Sequence, residues 1–196
     1  MYNQQFYDRN LKYASDLSER LTPFLCGVLK VNSIVDFGCG EGKLLSDLSY
    51  GFPTEDILGL NYNKPENLCF PEEKFMQCDF TKDLSLDRKF DLAISLEVAE
   101  HIDKQYANHF IDLITSHSSG LILFSAAVPG QGGVHHVNEQ PHEYWHEKFY
   151  LKGYRCFDIV RPYLQFFKTV PSWYRNNIFI YGTEESTLFH PEPQPA

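Results

Sequence analysis

No apolar run in the 196-residue sequence reaches the ~18 residues a bilayer-spanning helix needs, so no helical membrane span is expected. Met1-Tyr2-Asn3-Gln4-Gln5-Phe6 lacks the basic and apolar regions of a secretory signal. Cysteine is sparse: five residues, at 26, 39, 69, 78 and 156, odd in number and without a Cys-x-x-Cys pair. That argues against a disulfide framework and for free thiols in a reducing compartment, so the cytoplasm is the expected location. Basic charge is also short. Seventeen Lys and Arg face 26 Asp and Glu, a net charge of -9. Such a balance disfavours loose binding to nucleic acid or to an anionic membrane. Gly-Lys-Ser/Thr is missing, which excludes a phosphate-binding P-loop. No repeat or low-complexity block is evident.

What remains is ordinary for a soluble globular chain: 43% apolar and 22% charged residues, at a length that suits one domain spanning 1–196. Leu11, Ala14, Leu17 and Leu21 recur at helical spacing. Thr22-Pro23 has the form of an N-cap followed by proline at the first helical position. Residues 1–30 are therefore expected to form two helices, near 10–21 and 23–30. Short apolar runs follow at 33–37, 56–60, 75–78, 90–96 and 120–126, with helical patterns over 43–48, 104–117 and 143–152. Strands over 154–160 and 177–181 close the series, and the tail 183–196, rich in proline, is expected to fray. Strands alternating with helices imply an α/β fold, a mostly parallel sheet covered on both faces. Ligands of such sheets bind at the carboxyl ends of the strands, near the topological switch point.

Val35-Asp36-Phe37-Gly38-Cys39-Gly40-Glu41-Gly42 lies between the first strand and a helix. Glycines let the backbone turn sharply and let a ligand approach it closely. A dinucleotide site prefers Gly-x-Gly-x-x-Gly, with a helix N-terminus on the pyrophosphate. This loop is Gly-x-Gly-x-Gly, and Asp36 would repel a pyrophosphate but suit an ammonium or sulfonium. The run resembles the first motif of class I (Rossmann-like) S-adenosylmethionine methyltransferases, and the resemblance extends over about residues 30–182. It implies a seven-stranded sheet with an antiparallel last strand and S-adenosylmethionine as cofactor. Asp36, Gly38, Cys39 and Gly40 would then lie beside the methionine moiety and ribose. The resemblance also implies that Asn61 stands where the family places an acid on the ribose hydroxyls. An amide oxygen there can accept a hydrogen bond but brings no charge. Tyr62 would lie against the adenine, Asp79 would accept from its amino group, and Phe80 would pack on the ring. Leu96 and Glu97, ending the fourth strand, would complete the cofactor contacts.

Glu97-Val98-Ala99-Glu100-His101 places two carboxylates and an imidazole at i, i+3 and i+4, one face of a helix if the chain turns helical there. It resembles the metal-binding Glu-x-x-Glu-His of ubiquinone-pathway O-methyltransferases and of small-RNA 3′-end ribose methyltransferases. A metal-free site is the reading adopted, with a divalent metal on Glu97, Glu100 and His101 as the alternative. The glycine-rich segment 129–145 leaves the carboxyl edge of the sheet with three histidines, and its glycines at 130, 132 and 133 suit a lid. Its wording resembles a subset of bacterial and phage-type methyltransferases with small acceptors. A hydroxyl acceptor needs a base, so His136 is the first catalytic candidate, followed by His101 and His135, with Glu97 or Glu139 orienting the imidazole. Trp145, Trp173, Tyr174, Phe166 and Phe167 are candidates for an aromatic acceptor pocket. Lys148, Lys152, Arg155, Arg161, Lys168 and Arg175 share a stretch with one acid, Asp158, and suggest an anionic, sugar- or nucleotide-linked acceptor. The expectation is thus methyl transfer to a hydroxyl of a small molecule. Two alternatives stand beside it: a metal-assisted ribose methyltransferase on an RNA end, and a non-catalytic binding protein on the same fold. The oligomeric state is left open.

Overall fold

The computed structural model describes residues 4–186. Helix α1 (Gln4–Val28) precedes strand β1 (Ile34–Phe37), helix α2 (Lys43–Gly51) and strand β2 (Ile57–Asn61). Next come β3 (Phe75–Gln77), β4 (Phe90–Leu96), α3 (Ala107–Ser116), β5 (Ser118–Ser125) and α4 (His142–Leu151). The chain closes with β6 (Arg155–Phe157), α5 (Val160–Leu164), α6 (Ser172–Asn177) and β7 (Phe179–Gly182). The sheet has seven strands in the order β3-β2-β1-β4-β5-β7-β6. β7 runs antiparallel to both β5 and β6, and the remaining pairings are parallel. β1 and β4 are neighbours with helical crossovers leaving in opposite directions, so the switch point lies between their carboxyl ends.

Both faces of the sheet are covered. Phe37, Phe110, Phe124 and Phe149 lie in the core on the side of α3 and α4; Leu17, Leu21, Leu45 and Leu48 lie in the core on the side of α1 and α2. Every residue of β1 is buried, as a two-sided parallel strand requires. Among the described residues no helix is long and apolar enough to cross a membrane.

Four expectations change. The two N-terminal helices are one, running through Pro23. Leu17, Leu21, Leu25 and Leu29 form a buried i, i+4 stripe across the proline, and packing against α2 outweighs the missing backbone bond. The Thr22 hydroxyl is buried without a partner, so it caps nothing. The sixth strand stops at Phe157, and Val160–Leu164 is helical because Val160 and Leu164 both turn into the core. Helix α6 stands where no element was expected. Finally, residues 183–186 are not frayed: the Thr183 amide donates to the Gly120 carbonyl at 3.1 Å, and Arg155 reaches Glu184 at 2.5 Å. The remainder of the expected tail, 187–196, lies outside the described residues.

Candidate active site

At the carboxyl ends of β1, β2 and β4 the structure opens a cavity of about 940 Å³. Its lining contains Asp36, Gly38, Cys39, Gly40, Asn61, Tyr62, Asp79, Phe80, Leu96 and Glu97, and also Glu100, His101, His135 and His136. The sequence-derived candidates therefore converge on one space, within the roughly 300–1,000 Å³ usual for small-molecule sites.

The glycine loop owes its shape to its glycines. Gly38, Gly40 and Gly42 all have positive φ, at 95°, 55° and 78°. A Cβ on Gly38 would meet Val98 Cγ2 at 2.3 Å, whereas a Cβ on Gly40 would meet nothing within 4 Å. Gly38 is thus needed for packing, while Gly40 leaves open space beside the loop, as close ligand approach requires. Asp36 is buried at the end of β1, and burial raises its pKa from 3.8 to about 7. An adjacent positive ligand would reverse that shift.

The residues expected to contact adenosine differ in their surroundings. Asn61 donates through Nδ2 to the Asn63 carbonyl at 2.7 Å. Tyr62 is exposed at the rim. Asp79 already accepts from the Thr81 amide and hydroxyl at 2.9 and 2.7 Å, and these bonds hold its pKa down. Phe80 departs from expectation. Its ring is a core ring, 5.3 Å from Phe110 and 5.9 Å from Phe37, so it borders the cavity without standing free to stack.

The Glu-Glu-His run does not form one helical face. Glu97 has φ 55°, and only Ala99–His101 forms a short 3₁₀ turn. The left-handed backbone gives Glu97 hydrogen-bond partners of its own, although it still acts on Glu100, whose pKa it helps to raise. The Glu97 carboxylate accepts from Gln131 Nε2 at 2.7 Å and, more distantly, from Asn177 Nδ2 at 3.5 Å. Asn177 Nδ2 also donates to Gln131 Oε1 at 2.7 Å, and the Asn177 Oδ1 faces His142 Nε2 at 3.1 Å. Glu100 and His101 instead face His136. Among the described residues, one ligand atom from each of Glu100, His101 and His136 falls within 4.8 Å of the others. Of the alternative metal set Glu97, Glu100 and His101, the structure brings Glu100 and His101 together with His136, while Glu97 is bound by the Gln131 and Asn177 amides.

The segment after β5 is tied down at its base. Val137 and Asn138 amides donate to the Glu100 carbonyl at 2.9 and 3.0 Å. Glu139 accepts from the Gly130 and Gly132 amides, both at 2.8 Å, and lies 2.9 Å from His136 Nδ1. The bond to His136 leads the interactions that lower the Glu139 pKa, so this carboxylate stays ionised and can only accept. His136 Nδ1–H can therefore donate to it, and Nε2 lies 3.9 Å from Glu100 Oε1. The His101 and His136 rings meet edge-on at 4.9 Å between centroids. Burial, then His136, lowers the His101 pKa. Of the two orienting residues expected for His136, Glu139 makes the contact and Glu97 does not.

Of the five aromatic acceptor-pocket candidates, Trp173 and Tyr174 line the cavity. Trp145 is buried against Phe124, Phe166 is exposed, and Phe167 packs on Tyr163. Tyr174 is surrounded by acid: after burial, Glu97, Glu100 and Asp36 raise its pKa. Helix α1 contributes Leu11, Tyr13, Ala14 and Leu17 to the lining, and Tyr13 meets Trp173 edge-on at 5.2 Å. Sequence reasoning missed α1 as a wall; Tyr13, two residues after Leu11 on its apolar stripe, was the available signal. The basic stretch does not serve the cavity. Lys152 pairs with Asp112, Arg155 with Glu184 and Arg161 with Asp158; Lys148 reaches Asn108 and the Tyr144 ring, and Arg175 the Val170 carbonyl. None of the six basic residues is in the lining, so the basis for an anionic acceptor falls away.

The family profile described as "Methyltransferase domain" matches residues 35–116. No curated protein matches the chain. Solved structures of the same fold include the sugar N-methyltransferase KedS8 from a Streptoalloteichus species, at 15% identity and TM-score 0.67 over 94% of each chain. Magnesium protoporphyrin IX methyltransferase from Synechocystis with bound S-adenosylmethionine is similar at 16% identity and TM-score 0.64, over 93% of this chain and 86% of that one. The methyltransferase domain of bacterial CtHen1-C aligns at 19% identity and TM-score 0.58, over 89% of this chain and 98% of that one. The matched segment runs from the glycine loop through β4 into α3, so a methyltransferase-domain profile covers part of the chain, and the chain shares the Rossmann-like fold of these methyltransferases.

Proposed function

We propose that the methyl group is delivered to a hydroxyl of a small acceptor seated between Tyr174 and the His101–His136 pair, with His136 as the base. The observation that carries this reading is the Glu139–His136 contact at 2.9 Å, which aims the Nε2 lone pair at the side of the cavity where Glu100 and His101 lie. The sulfonium is already an activated donor, so the protein's work is to align the acceptor, exclude water and receive one proton. As the hydroxyl oxygen attacks the methyl carbon, the carbon–sulfur bond breaks and the hydroxyl proton passes to His136 Nε2. Glu139 then steadies the imidazolium through Nδ1–H. The cavity lining contains one Lys or Arg, Lys43, and that residue is bound to Asp47 at 2.6 Å. This favours an uncharged, sugar-sized acceptor over a phosphorylated one, and it also weighs against an RNA end. The similar fold of a sugar N-methyltransferase agrees with an acceptor of that size.

A second reading is favoured by Glu100. Its carboxylate is fully buried, and neither oxygen completes a hydrogen bond, although the Glu100 and Ala127 amides approach it. A buried, unsatisfied carboxylate flanked by two imidazoles suits a divalent cation. Glu100, His101 and His136 would hold it, and a cation there would lower the pKa of a bound hydroxyl. His136 would then be a ligand, not a base. One experiment separates the readings. S-adenosylhomocysteine formation is measured over a panel of small hydroxyl acceptors, with chelator or with manganese, for wild type and His136→Ala. The base reading expects chelator-resistant turnover that falls by about 10²-fold or more in the variant, with cofactor affinity kept. Near-wild-type turnover of His136→Ala rejects it, and loss of wild-type turnover in chelator selects the second reading.

A further inference from the structure

The cavity follows the carboxyl edge of the sheet, and its two ends differ. Towards β2 and β3 it is lined by polar side chains, Asn61, Asn63, Asp79 and Thr81. At the other end stands α6, which lies against β5 and supplies Trp173 and Tyr174. Helix α1 adds Leu11, Tyr13 and Ala14 there, with Tyr13 edge-on to Trp173 at 5.2 Å and Trp173 in turn 6.1 Å from Tyr174. Tyr174 packs against the core on the α1 and α2 side, but Tyr13 and Trp173 belong to neither core cluster. Both are half-buried. Aromatic rings that line a cavity without being absorbed by the core leave apolar surface for a ligand to cover.

This wall offers few hydrogen bonds. Gln131 spends its amide on Glu97 and Asn177, and Asp103 accepts from the Gln105 amide of its own turn. A sugar carries a hydroxyl on most of its ring carbons, and each one buried without a partner is penalised. A flat aryl ring of the same size has no such requirement. Its one hydroxyl can meet His136, and its faces and edges suit the two aromatic side chains. The acid–base chemistry points the same way. A phenol ionises near pH ~10, far below an aliphatic alcohol, so an imidazole is a sufficient base for it.

We propose that Tyr13 and Trp173 form an acceptor-selecting wall and that the acceptor is a flat, uncharged aromatic alcohol whose ring lies against them while its hydroxyl meets His136. The inference rests on the methyl-transfer reading above and names the acceptor's class. The phenolic oxygen bonds to the methyl carbon, the carbon–sulfur bond breaks with its electron pair left on sulfur, and the phenolic proton passes to His136 Nε2. Tyr13 and Trp173 are specificity residues in this account. Both lie outside residues 35–116, so the selecting wall is separate from the segment that matches the methyltransferase profile.

Calorimetric titration of the full chain, saturated with S-adenosylhomocysteine so that no turnover occurs, tests this with three probes: 2,3-dihydroxynaphthalene, its ring-saturated counterpart decahydronaphthalene-2,3-diol, and methyl glucoside. Wild type should bind the aryl diol about tenfold or more tightly than either of the others. Trp173→Leu and Tyr13→Leu keep apolar bulk but remove a ring; each should weaken the aryl diol about three- to tenfold and S-adenosylhomocysteine by less than about threefold. Trp173→Phe should restore most of the loss, and thermal unfolding confirms that each variant is folded. With S-adenosylmethionine and the aryl diol, the leucine variants should raise KM more than they lower kcat. Equal binding of the saturated diol or of the glucoside overturns the proposal, as does a Trp173→Leu variant that binds the aryl diol like wild type. If S-adenosylhomocysteine binds and none of the probes does, the acceptor class is wrong and the methyl-transfer reading stands. If S-adenosylhomocysteine does not bind either, both fall.

Discussion

Alanine at Gly40 and alanine at Gly42 perturb the same loop in different ways, and the structure separates their costs. Both residues have positive φ, so either substitution incurs about 1–2 kcal/mol of backbone strain. At Gly40 the new methyl meets open space. At Gly42 it would lie 2.0 Å from Cε1 and 2.2 Å from Cδ1 of Phe70. Phe70 is buried, and its ring already fills the space that a side chain on Gly59 would occupy, so it has little room to shift. Overpacking of this kind adds about 1–3 kcal/mol, for a total near 2–5 kcal/mol. In a domain of this size each kcal/mol moves Tm by roughly 2–4 °C. Gly42→Ala should therefore melt on the order of 10 °C below wild type, and Gly40→Ala only about 2–8 °C below. The order reverses for the cofactor. A methyl group on Gly40 intrudes where the cofactor approaches, and an affinity loss of about tenfold or more is expected. The assay is thermal unfolding of each variant with and without S-adenosylmethionine, beside calorimetric titration. If Gly40→Ala binds the cofactor like wild type, or melts as low as Gly42→Ala, the assignment of Gly40 to ligand approach and Gly42 to packing is refuted.

Cofactor affinity should rise with pH. Burial raises Asp36 to about 7, so the folded, cofactor-free chain holds a proton that the unfolded chain releases near 3.8. Apo stability should therefore fall as pH rises through that window, and the cofactor's positive charge should favour the ionised form, giving a larger cofactor-induced Tm gain at pH 8 than at pH 6. The two tryptophans should separate similarly: Trp145→Ala, in the core against Phe124, should lose about 3–5 kcal/mol of stability by denaturant titration. Trp173→Ala, on the cavity wall beside Tyr13, should instead lower turnover of the acceptor with a smaller change in denaturation midpoint.

The sheet and its loop were legible because their signals are local. A fully buried strand, three glycines and a helix start occupy consecutive residues, and each needs only its neighbours to be recognised. The N-terminal helix was misread for the opposite reason. Thr22-Pro23 is a good local start signal, but the Leu17–Leu29 stripe packs on α2, a partner far along the chain. Tertiary burial outweighed the local rule. The basic stretch failed in the same way. Its acids, Asp112 and Glu184, are distant in sequence and close in space.

Glu97 shows how far a single dihedral angle can separate motif from mechanism. At helical spacing, Glu97, Glu100 and His101 make one cluster, and a shared metal is the natural reading. With φ at 55° they become two units. Glu100 and His101 turn towards His136, a group with proton or cation chemistry. Glu97 turns to Gln131 and Asn177, neutral amides that bond it while burial raises its pKa. Nothing in the local sequence announces the left-handed turn, since glutamate is not a residue that favours it. The strain is offset by bonds that depend on the finished fold: the Glu97 amide on Ser125 of β5, and its carboxylate on a lid and a helix that follow β5 in the chain. Because those bonds form only when β4, β5, the segment after β5 and α6 have come together, Glu97 and the Glu139–His136 contact are set in place by the same folding event. A substitution that relaxes Glu97 into a helical conformation should therefore disturb both ends of the cavity at once, although only one of them touches it.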